Sequence, residues 1–183
     1  MPRSYAGPAC RHLLALLLAL ACRPAETAPA PAPSPPVENA ALAIRFEGLP
    51  EGVSVRENEG ERLAFEVRIG ESRGDAHVEV RPAGGAAVNF VEEVNLFGSR
   101  ASAEEGGKFF GGNELMTQFG TAFTARALVD RGAREERRVF LFHPDGSERL
   151  TTLVLRYPPG DAESARAWMQ KALELVAALR AAA

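Results

Sequence analysis

Asp75, His77 and Glu79 stand at alternate positions of the stretch DAHVE and are the residues of this sequence best suited to binding a metal ion. Imidazole and carboxylate groups are common ligands of zinc and similar ions. On a β-strand all three would project from one face. Neighbours on that face stand about 6.8 Å apart, so one ion would need a bend or a second strand. We therefore favour a polar face with cross-strand ion pairs, and keep a metal site as the alternative.

Lys108, Phe109 and Phe110 stand inside the glycine-rich segment GGKFFGG, which predicts an irregular loop. Glycine allows wide backbone freedom, and large apolar side chains are costly to leave in water. One interpretation is therefore a lip of these three residues over a groove for a ligand or partner. The other is that both rings pack into the core, where large apolar side chains are usually found. The spacing of a phosphate-binding loop, G-x-x-x-x-G-K-[ST], is absent.

The usual signatures of a nucleophilic enzyme are lacking. The G-x-S-x-G elbow is absent. Both cysteines, Cys10 and Cys22, precede the folded part, so they provide neither a disulfide framework nor a thiolate metal site. His143 comes just before Pro144 in a predicted turn, a place typical of local hydrogen bonding. The sequence therefore predicts no catalytic residue and no cofactor.

The first 21 residues have the pattern of a signal peptide. The apolar run from Leu13 to Ala21 is nine residues long, whereas a helix needs roughly 20 to cross a bilayer. Arg3 and Arg11 precede this run, and Ala19-Leu20-Ala21 has the small-x-small pattern of a cleavage site. Export is therefore predicted.

Cys22 directly follows the cleavage site, and the stretch LALAC resembles the lipobox of bacterial lipoproteins. That family usually has Leu three residues before the cysteine and a small residue two before it, where this chain has Ala19 and Leu20. The resemblance implies a lipid on Cys22. The protein would then be anchored in the cell envelope, facing the periplasm, and Arg23 favours the outer membrane over the inner one. The alternative is a soluble periplasmic or secreted protein.

Residues 22–37 predict a tether in front of a single folded domain, residues 38–183. Six of the fifteen residues from Arg23 to Val37 are proline, a composition that favours extended polyproline II and cannot bury a core. Removal of Arg3 and Arg11 with the leader leaves 19 of the 21 basic residues against 24 acidic ones. A basic surface for nucleic acid is therefore not indicated.

Alternating apolar and polar residues predict strands in both halves of the domain. The later strands are expected in TAFTARALV, RRVFLFH and LTTLVLRY. Two helices are predicted, a short one that has Asn89 as N-cap and ends near Gly98, and a long amphipathic one from Asp161 to about Arg180. We therefore expect an α+β fold with a mostly antiparallel sheet, a short middle helix and a long C-terminal helix.

This order of elements resembles the PsbP-like fold, the α/β/α sandwich of photosystem II extrinsic proteins and of small bacterial lipoproteins. The likeness spans residues 41–179 and is carried by the opening strand LAIRFEGLPEG and the closing strands and helix, RRVFLFHPDGSERLTTLVLRYPPGDAESARAWMQKALELVAAL. The resemblance implies a noncatalytic binding or accessory domain with an envelope protein as partner. The alternatives are a periplasmic metal-assisted hydrolase and a chaperone-like assembly factor of the envelope.

Overall fold

A computed structural model describes residues 34–82, 89–104, 106–130, 134–143 and 149–182. The predicted leader, Cys22, the tether before Ser34 and the predicted turn at 144–148 lie outside the described residues. Over the described ranges the chain forms ten strands and two helices. In chain order these are β1 Val37–Asn39, β2 Ile44–Phe46, β3 Val53–Glu59, β4 Arg62–Ile69, β5 Ser72–Pro82, α1 Phe90–Ala103, β6 Lys108–Thr117, β7 Gly120–Asp130, β8 Arg134–Phe142, β9 Arg149–Tyr157, α2 Ala162–Ala178 and β10 Leu179–Ala181.

Seven of these strands form one antiparallel sheet in the order β3-β4-β5-β9-β8-β7-β6. Gly60 and Gly70 open the two-residue turns from β3 to β4 and from β4 to β5, with φ angles of +53° and +58°. A positive φ at this position is typical of type II′ hairpins, and glycine adopts it without strain. The predicted antiparallel sheet is confirmed.

One face of this sheet, which we call the α2 face, carries the main core. α2 covers it with four buried residues, Trp168, Ala172, Leu175 and Val176. The other three strands form a small sheet, β1-β2-β10, that packs into the same core. Phe46 of the small sheet contacts Phe65 of the large one edge-on, with ring centroids 5.0 Å apart. Burial of apolar surface on this face is therefore the principal stabilising contribution to the fold.

The opposite face, which we call the α1 face, is covered only in part. α1 packs on β6 and β7, where Val94, Gly98 and Ala101 are buried. The rings of Phe97 and Phe109 meet edge-on beneath it, 6.2 Å apart. In the described ranges no helix packs extensively on the α1 face of β5 and β9, so this half of the face stays open.

Both helices begin where the sequence predicts. The Asn89 side chain accepts hydrogen bonds from the backbone N–H groups of Val91 and Glu92, and the Asp161 side chain accepts one from Ser164. These caps satisfy N–H groups that have no partner within the helix. Neither described helix has the length and apolar character needed to cross a membrane.

Both predicted helix ends are wrong. α1 continues past Gly98 to Ala103, because this glycine serves packing rather than termination: a Cβ there would lie 2.7 Å from the Phe109 ring. α2 ends at Ala178, and the next three residues form β10, which pairs with β2.

The segment GGKFFGG is also not the expected loop, since Lys108 begins the edge strand β6. The pairing of β6 with β7 shifts between Phe109 and Gly112, and Gly111 has a φ of +94°. Such a bulge adds one residue to one strand and interrupts its alternation, which explains the irregular pattern. Strand β1 was not predicted either, and it begins at Val37, the last residue of the predicted tether.

Candidate functional site

A groove of about 780 Å³ lies between α1 and the open half of the α1 face. Its floor is formed by apolar side chains of β8 and β9, including Val139, Leu141 and Val154, and its wall by Leu96 and Phe97 of α1. Leu96 remains 43% exposed. Concave sites with an apolar floor and a few polar groups are the usual form of a binding site. We call this feature the α1 groove.

Strand register brings the charged residues of the groove together. Arg156 on β9 lies directly opposite Asp75 on β5 and opposite Arg137 on β8. Residues paired in this way point to the same face of a sheet. Asp75 itself is outside the groove lining, but His77 and Glu79, which follow it at alternate positions of β5, line the groove. The arginine of β9 thus lies between that of β8 and the strand β5, which carries Asp75 and Glu79.

Two of the groove's four arginines are neutralised by carboxylates. Arg137 contacts Glu104 at the end of α1 at 2.9 Å and Glu135 on its own strand at 2.6 Å. Arg81 on β5 forms an ion pair with Glu93 on α1. These pairs link the helix to the sheet across the groove and fix its two walls relative to each other.

The other two arginines are Arg100 on α1 and Arg156 on β9. In the part of the chain that the structure describes, neither guanidinium has an ion pair or a hydrogen bond, and the Nε of Arg156 is buried without an acceptor. A buried donor without a partner costs about 1 to 3 kcal/mol. These two arginines are therefore the groups of the groove best placed to bind an external acceptor.

His77 and Glu79 form a local pair, with 3.1 Å between Nε2 and Oε1. This hydrogen bond holds the pKa of Glu79 below its ordinary value, against the opposing effect of burial. Electrostatic interactions with His77, Arg156 and Arg100 also lower the pKa of Glu79. Glu79 thus reports a positive field in the groove.

The three candidate metal ligands do not converge. Among the described residues no three histidine, cysteine, aspartate or glutamate side chains are grouped so as to hold a metal ion. Asp75 lies opposite Arg156 and outside the groove lining, whereas His77 and Glu79 pair with each other. The pair of His77 and Glu79 lies within β5, whereas the sequence favours ion pairs between neighbouring strands.

His77→Ala should raise the pKa of Glu79 toward its ordinary value, because the largest favourable contact of the carboxylate is lost. A carboxyl group whose pKa is lowered by folding stabilises the native state at pH values above its ordinary pKa. This stabilisation is lost as the pH falls through the pKa of the folded state. Wild type should therefore lose more stability on acidification than His77→Ala does. Carbon-13 NMR titration of the glutamate side chains would measure the shift.

Glu66 provides the control for this titration. Its pKa is lowered mainly by a hydrogen bond from Arg68 on the same strand, β4, so its titration should not change in His77→Ala. An unchanged titration of Glu79 in the variant would contradict the pairing.

Of the three residues of the predicted lip, Lys108 and Phe110 lie close together, whereas Phe109 is separated from them. Phe109 packs under α1 against Phe97 and Gly98. Phe110 is 42% exposed, and its ring centroid lies 4.3 Å from Cζ of Arg126 and 5.2 Å from Nζ of Lys108. None of the three lines the α1 groove. A role of Lys108 and Phe110 in partner binding stays a prediction.

His143 lies at the end of β8 and has a structural contact. Its Nδ1 donates to the backbone carbonyl of Arg149, at 2.7 Å, and its ring lies 5.1 Å from that of Phe90. This is the local role that the sequence predicts. The residues that sequence reasoning missed are Arg100 and Arg156, because no local motif marks either as part of a site.

The sequence matches no known family model and no curated protein. Solved structures do match. The Saccharomyces cerevisiae Ran-binding protein Mog1p matches with 14% identity over 80% of this chain and 94% of its own, at a TM-score of 0.53. A Pseudomonas aeruginosa protein of unknown function, PA94, matches with 13% identity over 68% of this chain and 96% of its own, at a TM-score of 0.50.

A cyanobacterial PsbP from Synechocystis is also matched, with 8% identity over 86% of this chain and 98% of its own, at a TM-score of 0.47. At such identities the likenesses to Mog1p and PA94 show a shared fold. The chain has a Mog1-like α+β fold, and the fold class predicted from the sequence is confirmed. The lipid anchor and the envelope location stay predictions.

Proposed function

We propose that this protein is an exported accessory protein of the bacterial cell envelope, anchored through a lipid on Cys22, whose domain binds a partner protein without catalysing a reaction. The observation that carries the proposal is the α1 groove. It combines an apolar floor with two arginines, Arg100 and Arg156, that have no hydrogen-bond or ion-pair partner among the described residues. Such a surface gains most from a partner that supplies both apolar contact and negative charge.

The walls of the groove are suited to rigid binding rather than to chemistry. Ion pairs hold α1 to β5 and β8, so the surface is formed before a partner arrives and little order has to be created on binding. His77, the groove's histidine, is already engaged by Glu79. A preformed surface whose histidine and acids are already engaged by neighbouring side chains fits a binding module.

Two further observations support the proposal. The structural neighbour Mog1p is a Ran-binding protein, so a protein of this fold is known to bind a protein partner. The leader, Cys22 and the proline-rich tether favour a domain held at a distance from a membrane. A domain tethered in this way is free to present the groove to another envelope component.

Photo-crosslinking in the native host tests the groove. A photoreactive residue replacing Leu96, which lines the groove, should give one discrete protein adduct. The matched control replaces Val55, which is equally exposed, at 42% against 43%, but lies on the edge strand β3. Equal adducts from both positions, or none from Leu96, would contradict partner binding in the groove.

The anchor is tested in the same cells with a palmitate analogue. The wild-type protein should be labelled and should stay with the membranes after osmotic shock, whereas Cys22→Ser should be unlabelled and released. An unlabelled wild-type protein would remove the anchor from the proposal.

A further inference from the structure

The open half of the α1 face has room for one more helix. α1 spans 14 residues, or about 21 Å, and lies over β6 and β7. A second helix beside it, at the usual distance of about 8 to 10 Å, or about two strand spacings, would lie over β8 and β9, which form the floor of the groove. Leu96 projects from α1 into this space and is 43% exposed, so it would contact the new helix.

An extended segment fits this place poorly. Backbone N–H and C=O groups need partners when they are buried, and an extended peptide finds them at the edge of a sheet. The edges of the large sheet are β3 and β6, whereas the groove lies on its face, above β9, β8 and β5. A helix satisfies its own backbone and therefore needs only side-chain contacts there.

The charged residues of the groove determine which side chains should stand beside the apolar stripe of such a helix. Arg100 stands on the α1 wall and Arg156 on the sheet, so they border the space from two sides. The arginines Arg81 and Arg137 are occupied by glutamates. The two remaining arginines would therefore meet acidic side chains on either flank of an apolar stripe, and arginine binds carboxylates in a specific, bidentate geometry.

We infer that the occupant of the α1 groove is an amphipathic helix of a partner protein, with an apolar stripe packed on Leu96 and the groove floor and acidic residues facing Arg100 and Arg156. This inference rests on the proposed function and specifies the chemistry of the partner.

Synthetic peptides provide the test. Two helical peptides share one leucine stripe and differ in their flanks, which carry glutamate in one and lysine in the other. The mature protein should bind the glutamate peptide and not the lysine peptide, as measured by fluorescence anisotropy. Arg100→Gln and Arg156→Gln should each raise Kd about fivefold to tenfold, the effect expected for one charged contact of about 1 to 1.4 kcal/mol.

The control variant is Arg166→Gln, which removes the same charge from an exposed position of α2. It should leave Kd unchanged. Arg100 is exposed, so its substitution does not endanger folding. For Arg156, the variant Arg156→Lys keeps the charge and loses the bidentate geometry, and its Kd should lie between those of wild type and Arg156→Gln.

Equal binding of the two peptides, or a Kd unchanged in both glutamine variants, would overturn the inference. So would equal binding of a glutamate peptide whose helix is broken by proline, since an extended occupant would then suffice. If crosslinking through Leu96 still yields an adduct in these cases, partner binding stands and only the acidic helix is wrong. If neither adduct nor peptide binding is found, both proposals fail.

Discussion

Trp168→Ala should lower the free energy of unfolding by about 3 to 5 kcal/mol, the range found when a large buried aromatic residue is truncated. Trp168 is 1% exposed and is the largest fully buried side chain among the described residues. Its ring stacks on that of Tyr157, with centroids 5.1 Å apart and planes 14° apart. The ring also lies against Gly74 of β5, where a Cβ would come within 3.0 Å of it. The indole thus joins α2 to two neighbouring strands.

The cavity left by alanine would also loosen a buried polar contact. The hydroxyl of Tyr157 donates to Oε2 of Glu136 at 3.1 Å, and Glu136 is 5% exposed. Burial raises the pKa of Tyr157 above its ordinary value, so the neutral hydroxyl is the form that the fold holds. A mobile Tyr157 would leave the Glu136 carboxylate with weaker hydrogen bonding in a poorly solvated place.

Urea unfolding followed by far-ultraviolet circular dichroism measures this effect, because Trp168 is the sole tryptophan and its removal abolishes the fluorescence signal. Arg166→Ala, on the exposed side of the same helix, is the control and should change stability by less than about 0.5 kcal/mol. A loss below about 1 kcal/mol in Trp168→Ala would show that the indole is not the anchor of α2.

Gly107→Ala should cost about 3 kcal/mol, at the upper end of the range for overpacking. A Cβ at Gly107 would lie 1.9 Å from the carbonyl oxygen of Ala101 and 2.8 Å from that of Glu104. Both atoms belong to the backbone at the end of α1, so no side-chain rotation can relieve the collision. The end of the helix would have to move away from β6.

This movement would also change the α1 groove, since Arg100 and Glu104 stand on the last turn of α1 and Glu104 binds Arg137. Gly107→Ala should therefore weaken binding of the glutamate peptide as well as stability. The matched control is Gly48→Ala, where the nearest atom lies 3.5 Å from the added Cβ. Its stability and its binding of the glutamate peptide should both stay within error of wild type. Unfolding midpoints and anisotropy on the same samples would decide, and a wild-type midpoint for Gly107→Ala would contradict the packing.

The sequence predicted the parts of the fold that local chemistry determines. Asn89 and Asp161 cap the helices as expected. A short polar side chain directly before apolar residues at helical spacing is a strong signal for the start of a helix. The apolar run Phe140, Leu141 and Phe142 indicates a strand with apolar side chains on both faces, and all three are buried in β8 beside the central strand β9.

The errors occur where a distant partner decides the structure. Gly98 would end an isolated helix, but in the folded chain it makes room for the ring of Phe109. Leu179, Arg180 and Ala181 follow an alanine-rich helix and would continue it, yet they form a strand because β2 offers its edge. Tertiary contacts of this kind override local propensity.

The candidate site could be predicted only in part for the same reason. His77 and Glu79 stood out by residue type and do line the groove. Arg156 did not, because it occupies an ordinary polar position of the strand LTTLVLRY, and only the register with β5 and β8 places it beside Asp75 and Arg137. Arg100 joins them through the position of α1, which no alternation pattern encodes.

The pairing of β10 with β2 has a consequence for the order in which the chain can fold. Ile44 and Phe46 of β2 are fully buried, but the edge beside them is closed by Leu179 to Ala181, which follow all the other described strands in the chain. A polypeptide that emerges from a ribosome or a translocation channel with its N-terminus first therefore carries β2 half-paired until Leu179 to Ala181 have also emerged. The core of the α2 face, to which Leu179 belongs, can be completed only from that point on.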